Sequence, residues 1–287
     1  MKKLLFLVLL FAANPAQAAI NVFTCEPEWK ALAEEIGKEN VKAFSATSYR
    51  QDPHHIRAKP SLLAKMRTAD LVICTGAGLE AGWLPVLLQK VGNAPIIYAA
   101  DHANILGKQQ NVDRSMGDIH PEGNPHLHLD PNNILKVGTA INNRLQLLDA
   151  ANKDSYQKNW QEFKADWQNN ITKWKNDAAS LKGLPVIVHH DSWLYLAKWL
   201  GLKQVATLEP KPGIPPTTGH LEQVMKTKAA VIIRAPFNPA DASEWLASKT
   251  ATPALVLPFT VNDSGNPAKL ADLFDTIITE LKANAKL

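Results

Sequence analysis

With 287 residues, 31 basic and 27 acidic side chains and a formal charge of +4, the chain is too evenly charged to suggest nucleic acid or an anionic membrane surface as a partner. Its length can bury a large core and suits two domains of ordinary size. The two cysteines stand singly, without the paired C-x-x-C units of a zinc ribbon.

The chain starts Met1-Lys2-Lys3, continues through an apolar run at 4–13 and reaches Ala16-Gln17-Ala18, the charged, apolar and A-x-A parts of a secretory signal peptide. Residues 1–18 are therefore expected to be removed. The apolar run has 10 residues, half of the roughly 20 that span a bilayer, and no later segment approaches that length. Cleavage after Ala18 leaves no cysteine at the new N-terminus, and Val22-Phe23-Thr24 before Cys25 is a poor lipidation context. The expectation is a free periplasmic protein and not a lipoprotein, with 29 basic against 27 acidic residues once Lys2 and Lys3 are gone.

Short apolar runs at 20–25, 41–46, 71–74 and 96–99 alternate with helical patterns that start at Glu26 and Pro60. Such alternation predicts βαβ units and a parallel sheet, with binding loops at the strand carboxyl ends. Residues 19–131 form this first lobe. Residues 132–181 carry no strand signal, and Trp160, Phe163, Trp167, Ile171 and Trp174 recur every three or four positions, a helical stripe that reads as core packing. A second set of strands at 186–189, 204–207, 230–233 and 254–257 defines a second lobe over 182–287. The fold class is α/β, two lobes with parallel-rich sheets joined by a long rigid connecting helix. Cys25 and Cys74 each close a strand, so an oxidising compartment permits a bridge, but sequence does not supply the Cα separation a disulfide needs.

Nine histidines are present, and three groups fall in loops where such folds place ligand contacts: Asp52-Pro53-His54-His55 after the second strand, 124–131 before the connecting helix, and His189-His190-Asp191 after the first strand of the second lobe. Neutral imidazole is a good zinc ligand. In chain order, Asp52-Pro53-His54 with Pro60-Ser61, Gly76-Ala77-Gly78-Leu79-Glu80 with Trp83-Leu84, Asn124-Pro125-His126 with Leu129-Asp130-Pro131, and His190-Asp191-Ser192-Trp193-Leu194-Tyr195 with Gly201-Leu202 resemble the successive motifs of the metal-specific, zinc-type periplasmic solute-binding proteins of ABC importers.

That resemblance implies Zn2+ as a transported ligand, captured in the interlobe cleft and delivered to an ABC-type zinc permease in the inner membrane, with a periplasmic zinc chaperone as a further partner, no enzyme activity and a monomeric state. It implies the ligands His54, His126 and His190, and as fourth ligand a carboxylate in the loop 261–265, where the chain offers Asp263. Glu80 is the alternative fourth ligand or a partner behind one. Ile56 and His128 stand where the family has aromatics, so the site is expected to be wetter than usual or His128 to face outward. His55 and His189 are expected to point away, His102 and His220 to be structural, and His120, beside Glu122, to be an ordinary solvated histidine or a transient capture point. The Pro-rich run 210–216 is expected near the cleft.

Two other readings remain. His126-Leu127-His128-Leu129-Asp130 contains the H-x-H-x-D of two-metal hydrolases, but Pro131 replaces the histidine that pattern requires, and a filled tetrahedron leaves no open position for an activated water. A manganese or iron carrier of the same fold would favour a carboxylate at the third ligand position, whereas His190 shifts the donors toward nitrogen and zinc.

Overall fold

The structure is a computed structural model that describes residues 18–285 apart from 93 and 111. The expected signal peptide thus lies almost wholly outside the described residues.

Two four-stranded sheets, parallel throughout, carry the fold. In the first, β1 (Ile20–Thr24), β2 (Val41–Ser45), β3 (Leu71–Cys74) and β4 (Ile96–Tyr98) run in the order β2-β1-β3-β4. The helices α1 (Pro27–Gly37), α2 (Pro60–Arg67) and α3 (Leu84–Leu88) connect them. Then come α4 (Pro131–Leu148) and α5 (Lys153–Asp177). The second sheet contains β5 (Pro185–Val188), β6 (Lys203–Thr207), β7 (Val231–Arg234) and β8 (Ala254–Val256) in the order β6-β5-β7-β8, with α6 (Leu194–Leu200), α7 (Thr218–Val224) and α8 (Asp241–Thr250) as crossovers and α9 (Leu270–Asn284) last. Each order reverses beside the first strand of its lobe, which opens the crevice where parallel α/β sheets receive ligands.

The central strands explain the arrangement. All four residues of β3, Leu-Val-Ile-Cys, are buried, as a strand covered on both faces requires. Edge strand β6, Lys-Gln-Val-Ala-Thr, leaves two residues exposed. The outer face of each sheet has its own core, Phe23, Met66 and Trp83 in the first lobe and Ile187, Val224 and Leu246 in the second. The inner faces share one. Val22 and Leu71 connect through Ile134, Trp167 and Trp174 to Val188, Val231 and Phe274 in a single apolar cluster.

The predicted aromatic stripe is the spine of that cluster. Trp167 meets Trp174 edge-on at 5.2 Å, and Trp174 packs 4.9 Å from Phe274 of α9. Because α5 is glued to both lobes over this continuous core, a wide hinge between them would expose Trp and Phe surface, each about 150–250 Å2. The cleft is therefore pre-formed.

Cys25 and Cys74 are joined, with Cα atoms 4.7 Å apart. Parallel pairing of β1 with β3 sets Thr24 opposite Ile73, so the next residue on each strand meets its neighbour at the separation a bridge needs.

Candidate metal centre

His54 sits in a single 3-10 turn, Pro53–His55, that follows β2. Asp52 caps it: Oδ1 accepts from the His54 N–H at 3.0 Å and lies 2.8 Å from His54 Nδ1. Burial pushes the Asp52 carboxyl up, but the hydrogen bonds and charge of His54 outweigh it and hold the group below the usual range. An ionised carboxylate only accepts, so Nδ1 carries the proton and Nε2 presents a lone pair to the cleft. The indole N–H of Trp83 donates to Pro53 O at 3.0 Å and anchors the turn.

His126 is fixed from the backbone. Its N–H donates to Asn124 Oδ1 at 3.0 Å, while Asn124 Nδ2 reaches across the cleft to Asp191 O at 2.6 Å. The Tyr195 hydroxyl donates to Asn124 O at 2.8 Å and accepts from Leu106 N. The ring of His126 is buried against Phe259, centroids 5.3 Å apart, and its Nδ1 is buried without a hydrogen-bond partner. Burial, and then the charges of His54, His190, His128 and His120, hold its pKa well below the ordinary value.

His190 follows β5, and its Nδ1 lies 2.7 Å from Glu209 Oε2. Glu209 follows β6 and also accepts from Gly213 N at 2.8 Å. Burial lowers the His190 pKa, yet the hydrogen bond and charge of Glu209 more than reverse this and raise it. Like Asp52 behind His54, Glu209 turns the Nε2 lone pair of its histidine inward.

One ligand nitrogen from each of His54, His126 and His190 lies within 4.8 Å of the other two. Their ring centroids are 5.3, 5.6 and 5.9 Å apart and their planes cross steeply, at 67°, 71° and 81°. A zinc ion with Zn–N bonds of about 2.0–2.1 Å sets tetrahedral nitrogens about 3.3–3.4 Å apart, so a small contraction fits the three around an ion. A fourth imidazole is adjacent: His120 Nε2 is 3.2 Å from His54 Nε2. Burial, and then the charges of His54 and His190, lower its pKa to about 4.

Asp263 is not brought to this cluster. Its side chain is 60% exposed and pairs with Lys30 of α1 at 2.8 Å, because the loop after β8 passes over the first helix instead of turning into the cleft. Glu80 is also elsewhere. Its carboxylate accepts from the N–H groups of Thr75 and Gly76 at 2.6 and 3.1 Å, close to the disulfide, and burial raises its pKa to about 7. His128 does not face outward. It is buried 3.2 Å from Glu28 Oε1 and donates from Nε2 to Phe259 O at 2.8 Å, a link between the lobes behind the site. The expected wetter site is likewise not seen at His126, since Phe259, backed by Trp193 and Phe237, supplies apolar cover from the second lobe.

Asp130 caps α4 by accepting from Asn132 N at 2.9 Å, so the members of the H-x-H-x-D segment point in three directions. His55 is exposed near Asp118, His189 is buried on the far side of Glu209, and His220 Nε2 donates to Thr207 O at 2.9 Å. Sequence reasoning missed Glu209 and Phe259. A carboxylate at the carboxyl end of β6, next to β5, was the available signal for the first; nothing local marks the second.

The cavity beside these imidazoles measures about 70 Å3, far below the roughly 300–1,000 Å3 that organic ligands occupy. Two parallel-sheet lobes clasping an imidazole cluster in so small a space define a binding protein for a small cation. The profile of the family described as "ZnuA: Zinc-uptake complex component A periplasmic" matches residues 22–285, and the chain belongs to that family. The zinc-binding lipoprotein AdcA of Streptococcus pneumoniae is 24% identical over 238 residues, 79% of this chain and 47% of that protein, so the chain spans about half the length of that relative. The high-affinity zinc uptake system protein ZnuA of Yersinia pestis is 26% identical over 212 residues, 66% of this chain and 67% of that one. A crystal structure of ZnuA has the same fold, with a TM-score of 0.81 at 23% identity over 93% of this chain and 99% of that chain.

Proposed function

We propose that the chain is the periplasmic zinc-capturing component of an ABC-type importer, which holds one Zn2+ through His54, His126 and His190 and passes it to a membrane permease. The observation that carries this reading is the convergence of three imidazoles from three separate loops on both lobes, two of them turned inward by carboxylates. Those carboxylates raise ligand basicity and fix the tautomer, as in established zinc sites. Nitrogen donors favour zinc over the harder manganese.

Capture requires no bond to be made or broken in a substrate. Hydrated zinc exchanges waters for the imidazoles of His54, His126 and His190, and the family to which the chain belongs is the binding component of a zinc-uptake complex, so the chain acts as a carrier and not an enzyme. Nanomolar capture needs about 12 kcal/mol, within the roughly 10–16 kcal/mol of structural zinc sites. It works as a monomer free in the periplasm, and a zinc chaperone is a compatible donor. Among the described residues no helix is long and apolar enough to cross a membrane.

Zinc titration of protein purified without added metal tests this. The expected result is one zinc per chain, not displaced by a large excess of manganese. Stoichiometric manganese binding with no preference for zinc would reverse the cargo assignment. In the same assay Asp263→Ala should change zinc affinity less than about twofold, since an exposed pair such as Lys30–Asp263 is worth at most about 1 kcal/mol and that to folding.

A further inference from the structure

The segment between β4 and α4 crosses the mouth of the cleft as a strap. Its middle leaves the first lobe and lies on the Pro-rich loop of the second: Asp118 N donates to Pro212 O at 2.8 Å, and Lys211 Nζ donates to Ser115 O at 2.7 Å. Two glycines permit this approach. Gly117 and Gly213 have φ of +84° and +74°, and a Cβ on either would overlap the opposite loop, at Pro212 O and at the Asp118 carboxylate respectively. The strap is pinned just ahead of His120.

His120 is thereby delivered into the cleft, where it lines the same cavity as His126 and His190. Its Nδ1 lies against Gly78. His54 Nε2 carries a lone pair because Asp52 holds the Nδ1 proton there, and His120 Nε2 approaches that lone pair. With the His120 proton on Nδ1, the two Nε2 lone pairs face each other across 3.2 Å, an arrangement that a cation between them stabilises. That distance matches the edge of a zinc tetrahedron, about 3.3–3.4 Å.

We infer that His120 is the fourth metal ligand, completing an all-imidazole site whose double positive charge is balanced by Asp52 and Glu209 behind His54 and His190 and not by a ligand carboxylate. Four neutral imidazoles leave zinc its full charge of +2 in a buried cleft, which is costly without compensation. The two carboxylates lie 2.8 and 2.7 Å from the ring nitrogens they serve, one on each lobe. Because the ligand rides on a strap fastened to the opposite lobe, the contacts that pin the strap also hold His120 beside His54. The inference rests on the zinc reading of the cleft.

X-ray absorption at the zinc edge of the zinc-loaded full chain, combined with chelator competition, tests it. The expected result is four imidazoles in the unaltered chain and three in His120→Ala, with affinity reduced at least about tenfold. Gly117→Ala keeps every imidazole and should speed zinc release by lifting the strap. Stoichiometric zinc with three imidazoles in the unaltered chain, and unchanged affinity in His120→Ala, would overturn the fourth ligand while the zinc reading stands. Absence of stoichiometric zinc in the unaltered chain would sink both.

Discussion

His126→Ala is expected to weaken zinc binding by about a hundredfold or more, since even the partners behind a ligand cost about 10- to 100-fold. Among the cluster this ring is the most rigidly held. Its backbone is clamped by Asn124, its face is covered by Phe259, and its Nδ1 has no hydrogen-bond partner. Removing it deletes a donor that needs no rearrangement to reach the ion and leaves a void that the rigid shared core cannot close. A hundredfold loss corresponds to about 2.7 kcal/mol. Folding should survive, because His126 is not among the apolar residues that join the lobes. Chelator competition measures the affinity and circular dichroism the fold. Unchanged affinity in a folded variant would remove His126 from the site.

Acidification gives the second large effect. Protons compete with zinc only at a histidine that is protonated in the metal-free protein at the pH in question. His126 is held well below the ordinary range by burial and by its imidazole neighbours, and His120 is pushed down to about 4, so protons compete least at these two. His190 behaves oppositely. Glu209 raises it in spite of burial, so as pH falls it takes a proton from above its ordinary value of about 6.5. Zinc affinity is therefore full above that raised pKa and declines as pH drops through it, by about a decade per pH unit for one displaced proton, or nearly a hundredfold between pH 7 and 5. Glu209→Gln removes the stabilising charge, leaves burial dominant and should move the onset to lower pH. A flat titration between pH 7 and 5 would contradict this account of His190.

The three imidazoles that converge were legible because each is marked locally. His54 and His190 follow strands, and Asp52-Pro53-His54 and Asn124-Pro125-His126 contain the side chains that cap or orient their own turn. The same local logic reaches its limit at Asp263. A carboxylate in the loop after the last strand of the second lobe sits at a suitable chain position, yet its neighbour in space is Lys30, 233 residues away. His120, expected to be an ordinary solvated histidine or a transient capture point, is the complementary case. Its loop is polar and irregular, so its pattern reads as solvated; only the glycine-permitted contact with the Pro-rich loop carries it into the cleft.

By itself, then, the sequence determined what depends on periodicity and short-range hydrogen bonding: two α/β lobes, parallel sheets, an aromatic helix between them, and imidazoles at strand ends. Tertiary structure alone decided which distant loops meet. It joined Cys25 to Cys74 through strand pairing, put Glu209 behind His190, buried His128 between the lobes, set His120 beside His54 and paired Asp263 with Lys30. Hydrophobic alternation and capping are properties of a few consecutive residues. The contents of an interlobe cleft follow from how two sheets dock on one shared core, and no window of consecutive residues contains that geometry.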